Sequence, residues 1–177
     1  MDHYGWRTLA DQCGPAQLEE IAPGLAKTIA QELDHLDEHW PHELPRSAIP
    51  ADLFPDNVLM LGGQVTGLID FYFSCTDIRA YDLAVTHAAW CFSEDGSDFH
   101  EPISRALIAG YESAFTLSDD ERQALPLLAR GAALRFLLTR AYDWINTPAD
   151  ALVTRKDPQA FLHRLQYYQN HPDIFTL

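Results

Sequence analysis

Residues 49–73 read IPADLFPDNVLMLGGQVTGLIDFYF. Two short apolar runs, 57–61 and 64–70, lie on either side of Gly62–Gly63. Short apolar runs joined by two glycines are typical of a β-hairpin, because glycine adopts the backbone angles that a tight turn requires. The stretch therefore predicts a hairpin with polar residues at its entrance and at its end.

Three oxygen-bearing side chains accompany this hairpin. Asp52 and Asn57 have Pro55 between them, which favours a loop whose two ends face one cleft, and Asp70 follows the second strand. Phosphoryl transfer needs a divalent metal on the phosphates and a carboxylate near the attacking hydroxyl, and Mg²⁺ prefers carboxylate and amide oxygens. A plainer interpretation is that Asp56–Asn57 is a turn pair and Asp70 a strand-end cap. The order of loop, hairpin and Asp70 is that of protein-kinase-like folds, which favours the phosphoryl-transfer site.

Composition limits the other function classes. The chain has 177 residues and a formal net charge of −14, which predicts one globular domain over 1–177 that repels nucleic acid and anionic membranes. The one dense basic run is Arg155–Lys156. Three cysteines without close spacing indicate neither a disulfide framework nor a thiolate metal site, so a cytoplasmic protein is expected. No apolar run approaches the ~20 residues of a membrane span.

The rest of the chain has mostly helical periodicity. Ser118 followed by Glu121 is a capping-box pattern, which predicts the start of a long helix, and Thr147–Pro148 predicts its end. His87 lies in an apolar helix and is predicted to be a core or cleft histidine. The sequence predicts a mainly α fold with a small β-hairpin, with helices at about 16–38, 80–92, 100–115, 119–145 and 158–169.

The segments ADLFPDNVLM (51–60), GLIDFYFSCTD (67–77) and YDLAV (81–85) resemble the homoserine kinases of the aminoglycoside/choline phosphotransferase superfamily. The resemblance extends from about Trp6 to about Gln169. It includes LPLLARGAALRFLLTRAYDWINTP (125–148) and KDP (156–158), which are more specific to that group than the catalytic motifs are. The resemblance implies the carboxy-terminal lobe of the protein-kinase-like fold.

The resemblance also implies an activity and a set of roles. Homoserine kinases transfer the γ-phosphate of ATP to the hydroxyl of L-homoserine, in threonine biosynthesis. Asp52 would be the catalytic carboxylate, Asn57 and Asp70 would hold Mg²⁺, and Asp82 would support the catalytic loop. ATP and Mg²⁺ are thus the expected cofactors, and homoserine or a similar small hydroxyl compound is the expected substrate.

Two departures from the family pattern bear on activity. The family has histidine two residues before the catalytic aspartate, whereas this chain has Pro50, which lacks a backbone N–H and a side-chain donor. The family's amino-terminal lobe, with its phosphate-binding lysine, has no counterpart before Trp6. A carboxy-terminal lobe alone would expose its apolar cleft face, so self-association or an amino-terminal-lobe partner is expected. The alternative is a non-catalytic remnant or binding module with the same fold.

Three further residues are candidate substrate contacts. Arg135 could bind the carboxylate of a small amino acid, because guanidinium and carboxylate geometries match. Asp77 and Arg79, just after the hairpin, are similar candidates. For arginines on a helix, pairing within the protein is the commoner explanation.

Overall fold

The structure is a computed structural model that describes residues 3–148, 151, 152 and 154–176. The described residues are mostly helical, with four short strands, which agrees with the predicted mainly α fold. The elements in chain order are α1 (His3–Cys13), α2 (Pro15–Ile21), α3 (Leu25–His39), β1 (Arg46–Ile49), β2 (Val58–Leu61), β3 (Gln64–Leu68), β4 (Cys75–Ile78), α4 (Arg79–Trp90), α5 (Glu101–Ala114), α6 (Asp119–Asn146) and α7 (Gln159–Asn170). None of the described helices combines the length and apolar character needed to cross a membrane.

Two predictions about the amino-terminal half are wrong. The single helix at 16–38 is two helices, because Pro23 lacks the N–H that would continue the first and Gly24 has a left-handed φ of 80°. The helix α1 was not predicted. Its buried residues Trp6, Leu9 and Cys13 recur at spacings of three and four, and the helix packs against α3 and α6.

The long helix α6 is the centre of the core. Helices α1, α4 and α7 pack around it, and its fully buried apolar residues are Leu128, Ala129, Ala132, Ala133, Leu134, Leu137, Leu138 and Ala141. Burying each leucine side chain contributes roughly 1.5–3 kcal/mol. Gly131 admits the rings of Trp40 and Trp6, since a Cβ there would lie 2.5 Å from the Trp40 ring. The capping box of Ser118 and Glu121 is present at the start of α6.

The strands form two separate antiparallel pairs. The pair β2–β3 is the predicted hairpin, with its turn at Gly62–Gly63. The pair β1–β4 was not predicted, and in it Ile49 lies opposite Cys75 and Arg46 opposite Ile78. This second pair brings the start of the 50–57 loop close to the start of α4, and so places the candidate site.

His87 is buried in α4, as predicted. Its Nδ1 lies 2.7 Å from the Tyr168 hydroxyl and its Nε2 lies 2.8 Å from Ser104 Oγ, and the side chain is fully buried. Burial lowers the pKa of His87 from 6.5 to about 3, because the charged imidazolium is poorly solvated there.

We therefore expect the free energy of unfolding to fall as pH decreases from about 6.5 towards 3. A group whose pKa is lowered in the fold stabilises it fully above the unfolded-state pKa, and protonation below that value favours the unfolded chain. At pH 5 the loss from His87 is about 2 kcal/mol. In urea unfolding, His87→Gln should lose about 2 kcal/mol less stability than the wild type between pH 8 and pH 5, because glutamine keeps hydrogen-bonding groups but does not titrate. The exposed His163→Gln is the control, and equal pH dependence of all three proteins would contradict the assignment.

Candidate active site

The loop between β1 and a single 3₁₀ turn at Pro55–Asn57 is held from three sides. The Ala51 N–H donates to Asp82 Oδ1 at 2.7 Å, and the Ala51 carbonyl accepts from Arg135 Nη1 at 2.6 Å. The Leu53 carbonyl accepts from Trp90 Nε1 at 2.9 Å. These contacts fix the backbone on both sides of Asp52 without any contribution from a histidine at position 50.

The structure brings Asp52, Asn57 and Asp70 together. Asn57 Nδ2 donates to the Asp52 carbonyl at 2.8 Å and lies 3.5 Å from Asp52 Oδ2. The Ile69 N–H donates to the Asn57 carbonyl at 3.0 Å, which holds the next residue, Asp70, beside the loop. The three residues therefore lie beside one another, and their roles in a phosphoryl-transfer site stay a prediction.

The backbone is strained at two positions of this cleft. Among the described residues, Ala51 and Asp70 are the non-glycine residues with positive φ, at 59° and 60°. Such conformations cost about 1–3 kcal/mol each and persist where surrounding contacts enforce them, often at active sites. Here the hydrogen bonds of the Ala51 peptide groups enforce the first.

The Asp52 carboxyl group has a raised pKa. Burial is the main cause, and the nearby charge of Asp70 raises it further, while Arg135, Lys156 and the Asn57 hydrogen bond lower it. A carboxylate whose pKa moves towards neutrality is a better proton acceptor at physiological pH. The environment of Asp52 is thus suited to a general base.

The donor set fits Mg²⁺. The Asn57 amide nitrogen is engaged with Asp52, which leaves the amide oxygen for a cation, and the Asp70 carboxylate is exposed in the cleft. Mg²⁺ takes one or two protein oxygens and completes its shell with water and phosphate oxygens. Within the described residues, no three His, Cys, Asp or Glu side chains gather into a metal site of their own. That Asn57 and Asp70 hold Mg²⁺ stays a prediction, with which their available oxygen atoms agree.

Residues 2–127 match the family model described as the phosphotransferase enzyme family. The chain belongs to this phosphotransferase family. The matched residues include Asp52, Asn57, Asp70 and Asp82, whereas Arg135 and the KDP segment lie beyond them.

Relatives of this phosphotransferase include three named homoserine kinase. The protein of Zymomonas mobilis is 52% identical over 169 residues, which are 96% of this chain and 52% of the relative. That of Gluconobacter oxydans is 55% identical over 167 residues (93% and 52%), and that of Sinorhizobium fredii is 52% identical over 165 residues (93% and 50%). The chain spans about half the length of these curated relatives.

Asp82 of the phosphotransferase lies in the first turn of α4. Burial raises its pKa, while the Ala51 hydrogen bond and the Arg135 charge lower it. Its contact with the Ala51 N–H is consistent with the loop-supporting role that the resemblance implies.

The three candidate substrate contacts each have a partner within the protein. Asp77 lies 3.3 Å from Arg46 and accepts the Ile78 N–H at 2.8 Å. Arg79 makes two hydrogen bonds to Glu121, at 2.6 and 2.8 Å. Arg135 is 6% exposed and binds the catalytic loop. A substrate role for these three residues stays a prediction.

Sequence reasoning did not identify the loop contacts of Trp90 and Arg135. Trp90 is 37 positions from Leu53 and Arg135 is 84 positions from Ala51, so no local spacing connects them. The sequence offered one indication of each contact. Trp90 ends α4, the helix that follows the hairpin, and Arg135 lies in the 125–148 segment of the resemblance.

Proposed function

We propose that this chain provides the catalytic and metal-binding half of a homoserine kinase, which transfers the γ-phosphate of ATP to the hydroxyl of L-homoserine. The observation that carries the proposal is the meeting of Asp52, Asn57 and Asp70 at one cleft. The similarity to proteins named homoserine kinase, which are 52% and 55% identical over 96% and 93% of this chain, supports this acceptor.

Each residue has one task in this proposal. Asp52 orients the acceptor hydroxyl and accepts its proton as the bond to the γ-phosphorus forms and the bond from that phosphorus to ADP breaks. Asn57 and Asp70 would hold Mg²⁺, which would offset the negative charge that develops on the phosphates of ATP. Asp82 and Arg135 hold the Ala51 peptide groups, so that the Asp52 carboxylate enters the cleft in one orientation.

The proposal includes the lobe arrangement of the protein-kinase-like fold, with this chain as the carboxy-terminal lobe. An apolar face around the β2–β3 hairpin is exposed, and its side chains are 39–92% accessible: Leu59, Met60, Leu61, Val65, Leu68, Ile69, Phe71, Tyr72 and Phe73. A contiguous apolar surface of this kind usually marks an interface. Because the curated relatives are about twice as long as the matched segment, we assign an amino-terminal lobe as its occupant.

The test is reconstitution with the amino-terminal half of the Zymomonas mobilis relative, produced separately. We expect the chain alone to self-associate at tens of micromolar, because the apolar face is uncovered. With the added half we expect a one-to-one complex by light scattering and ATP-dependent phosphorylation of L-homoserine, measured as ADP release. Omission of homoserine is the control. A stable complex without phosphoryl transfer would contradict the proposal and favour a non-catalytic remnant.

A further inference from the structure

A groove adjoins the catalytic loop on the side away from the hairpin. It has a volume of about 1120 Å³ and lies between the 3₁₀ turn, the end of α4, the end of α6 and the start of α7. Phe54 and Asp56 line it and also belong to the segment that joins Asp52 to Asn57. A molecule in this end of the groove would therefore lie beside the catalytic carboxylate.

Two cations face this end of the groove. Arg140 lies over the Phe161 ring, 4.5 Å from its centroid, and donates to the Asp157 carbonyl at 3.2 Å. In the part of the chain that the structure describes, no carboxylate lies within ion-pair distance of Arg140. Burial lowers the pKa of Arg140, while the charges of Asp157 and Glu94 raise it, so the guanidinium is partly desolvated and the carboxylates that act on it do so from beyond ion-pair distance.

Lys156 is the second cation. Its Nζ lies 6.0 Å from the centroid of the Phe54 ring and 3.6 Å from Asp56 Oδ2. The ion pair is loose and both side chains are largely exposed, 61% and 81%, so it is easily opened by a ligand. The charge of Lys156 also lowers the pKa of Asp52, which places this amine near the catalytic carboxylate.

Three other carboxylates line the groove; Glu94 interacts electrostatically with Arg140, and the other two are engaged in local structure. Asp157 Oδ1 accepts the Gln159 N–H at 2.8 Å at the start of α7. Asp95 accepts hydrogen bonds from Ser93 and Ser97 in a tight turn. Asp56 is thus the carboxylate best placed to meet a positive group near the catalytic loop.

We propose that this end of the groove binds the phosphate acceptor as a zwitterionic amino acid. Its carboxylate lies on Arg140 and Lys156, its ammonium group on Asp56, and its methylene groups on the Phe54 ring. A guanidinium and an amine match a carboxylate, and an aspartate matches an ammonium group. The proposal rests on the proposed function, because the acceptor hydroxyl must reach Asp52.

The test measures binding to this chain in the absence of nucleotide, by calorimetry and by the indole N–H NMR signal of Trp90, which lines the groove. The probes are L-homoserine, L-2-aminobutyrate without the hydroxyl, 4-hydroxybutyrate without the ammonium group, and 3-amino-1-propanol without the carboxylate. We expect the first two to bind with similar affinity, and the last two to bind about tenfold more weakly or worse.

Variants locate the site. Lys156→Gln and Asp56→Asn alter exposed side chains, so they should fold normally and weaken homoserine binding by about tenfold. Arg140→Gln should weaken it at least as much. Arg105→Gln, in an exposed pair on α5, is the control and should bind normally.

The inference is overturned if no saturable binding of either amino acid occurs at millimolar concentration. It is also overturned if the three groove variants bind homoserine as well as the control does. Because no step needs ATP or the amino-terminal lobe, this failure is distinguishable from failure of the proposed function. If only the proposed function failed, homoserine would still bind to this chain, but the reconstituted enzyme would not transfer phosphate.

Discussion

Asp52→Asn, assayed with the amino-terminal lobe, lowers the rate of homoserine phosphorylation by a factor of about 10²–10⁴, the range for loss of a positioned general base. The substitution removes the proton acceptor and leaves the geometry of the loop. Asn57 Nδ2 donates to the backbone carbonyl of residue 52 at 2.8 Å and to its side chain at 3.5 Å, and the amide oxygen of an asparagine can accept the second bond in place of the carboxylate. We therefore expect kcat to fall while the KM for ATP and for homoserine changes little.

The pH profile gives a second measure of the same prediction. Burial raises the pKa of Asp52 above 3.8, and a base acts only when it is ionised. The wild-type rate should therefore fall with decreasing pH at a pKa above that of an ordinary aspartate, and Asp52→Asn should lack that inflection. Asp119→Asn, at an exposed position in the first turn of α6, is the matched control. A variant at position 52 that retained wild-type kcat would rule out this role.

Arg79→Met should lower the free energy of unfolding by about 3 kcal/mol, towards the lower end of the range for breaking a buried ion pair. Glu121 is fully buried and receives two hydrogen bonds from Arg79, at 2.6 and 2.8 Å. Among the described residues, the hydrogen bond that the carboxylate keeps without the guanidinium is the one from the Ser118 N–H at 2.9 Å. A buried charge that loses its counterion is costly, and this cost should dominate the effect.

Acid unfolding separates this structural role from substrate binding. The hydrogen bonds from Arg79 are the largest cause of the lowered pKa of Glu121, about 2. A lowered carboxyl pKa contributes stability above the unfolded value of about 4.5, and that stability is lost as pH falls towards 2. Arg79→Met should lose much of this pH dependence, whereas Arg105→Met, which breaks an exposed pair, should change stability by less than about 1 kcal/mol. Unchanged stability of Arg79→Met together with a raised KM for homoserine would instead assign Arg79 to the substrate.

The features that were predictable from sequence depend on neighbouring residues. The β2–β3 hairpin follows from Gly62–Gly63 between two apolar runs, and the start of α6 follows from Ser118 and Glu121, whose reciprocal hydrogen bonds span only three residues. Asp52 and Asn57 face one another because the loop between them has four residues, one of which is a proline. In each case the interacting residues are close in sequence, so the sequence pattern is enough to predict how they are arranged.

The features that were missed depend on contacts between distant segments. Strand β1 pairs with β4 across 26 to 32 positions, from Ile49 opposite Cys75 to Arg46 opposite Ile78. The sequence of 46–49 alone has too few apolar residues to predict a strand. No sequence pattern indicates the role of Gly131, yet the absence of a side chain there makes room for the rings of Trp6 and Trp40. Packing of this kind has no local signature.

By itself the sequence determined a mainly helical chain, one hairpin, and three oxygen-bearing side chains in the order found in protein-kinase-like folds, because these depend on periodicity, turn chemistry and close spacing. The tertiary structure decided how the catalytic loop is held. Pro50 cannot donate a hydrogen bond to the loop, but Asp82 and Arg135 bind the two peptide groups of Ala51 at 2.7 and 2.6 Å. The reason is physical: hydrogen bonds between residues 31 and 84 positions apart form only when folding brings α4 and α6 to the loop.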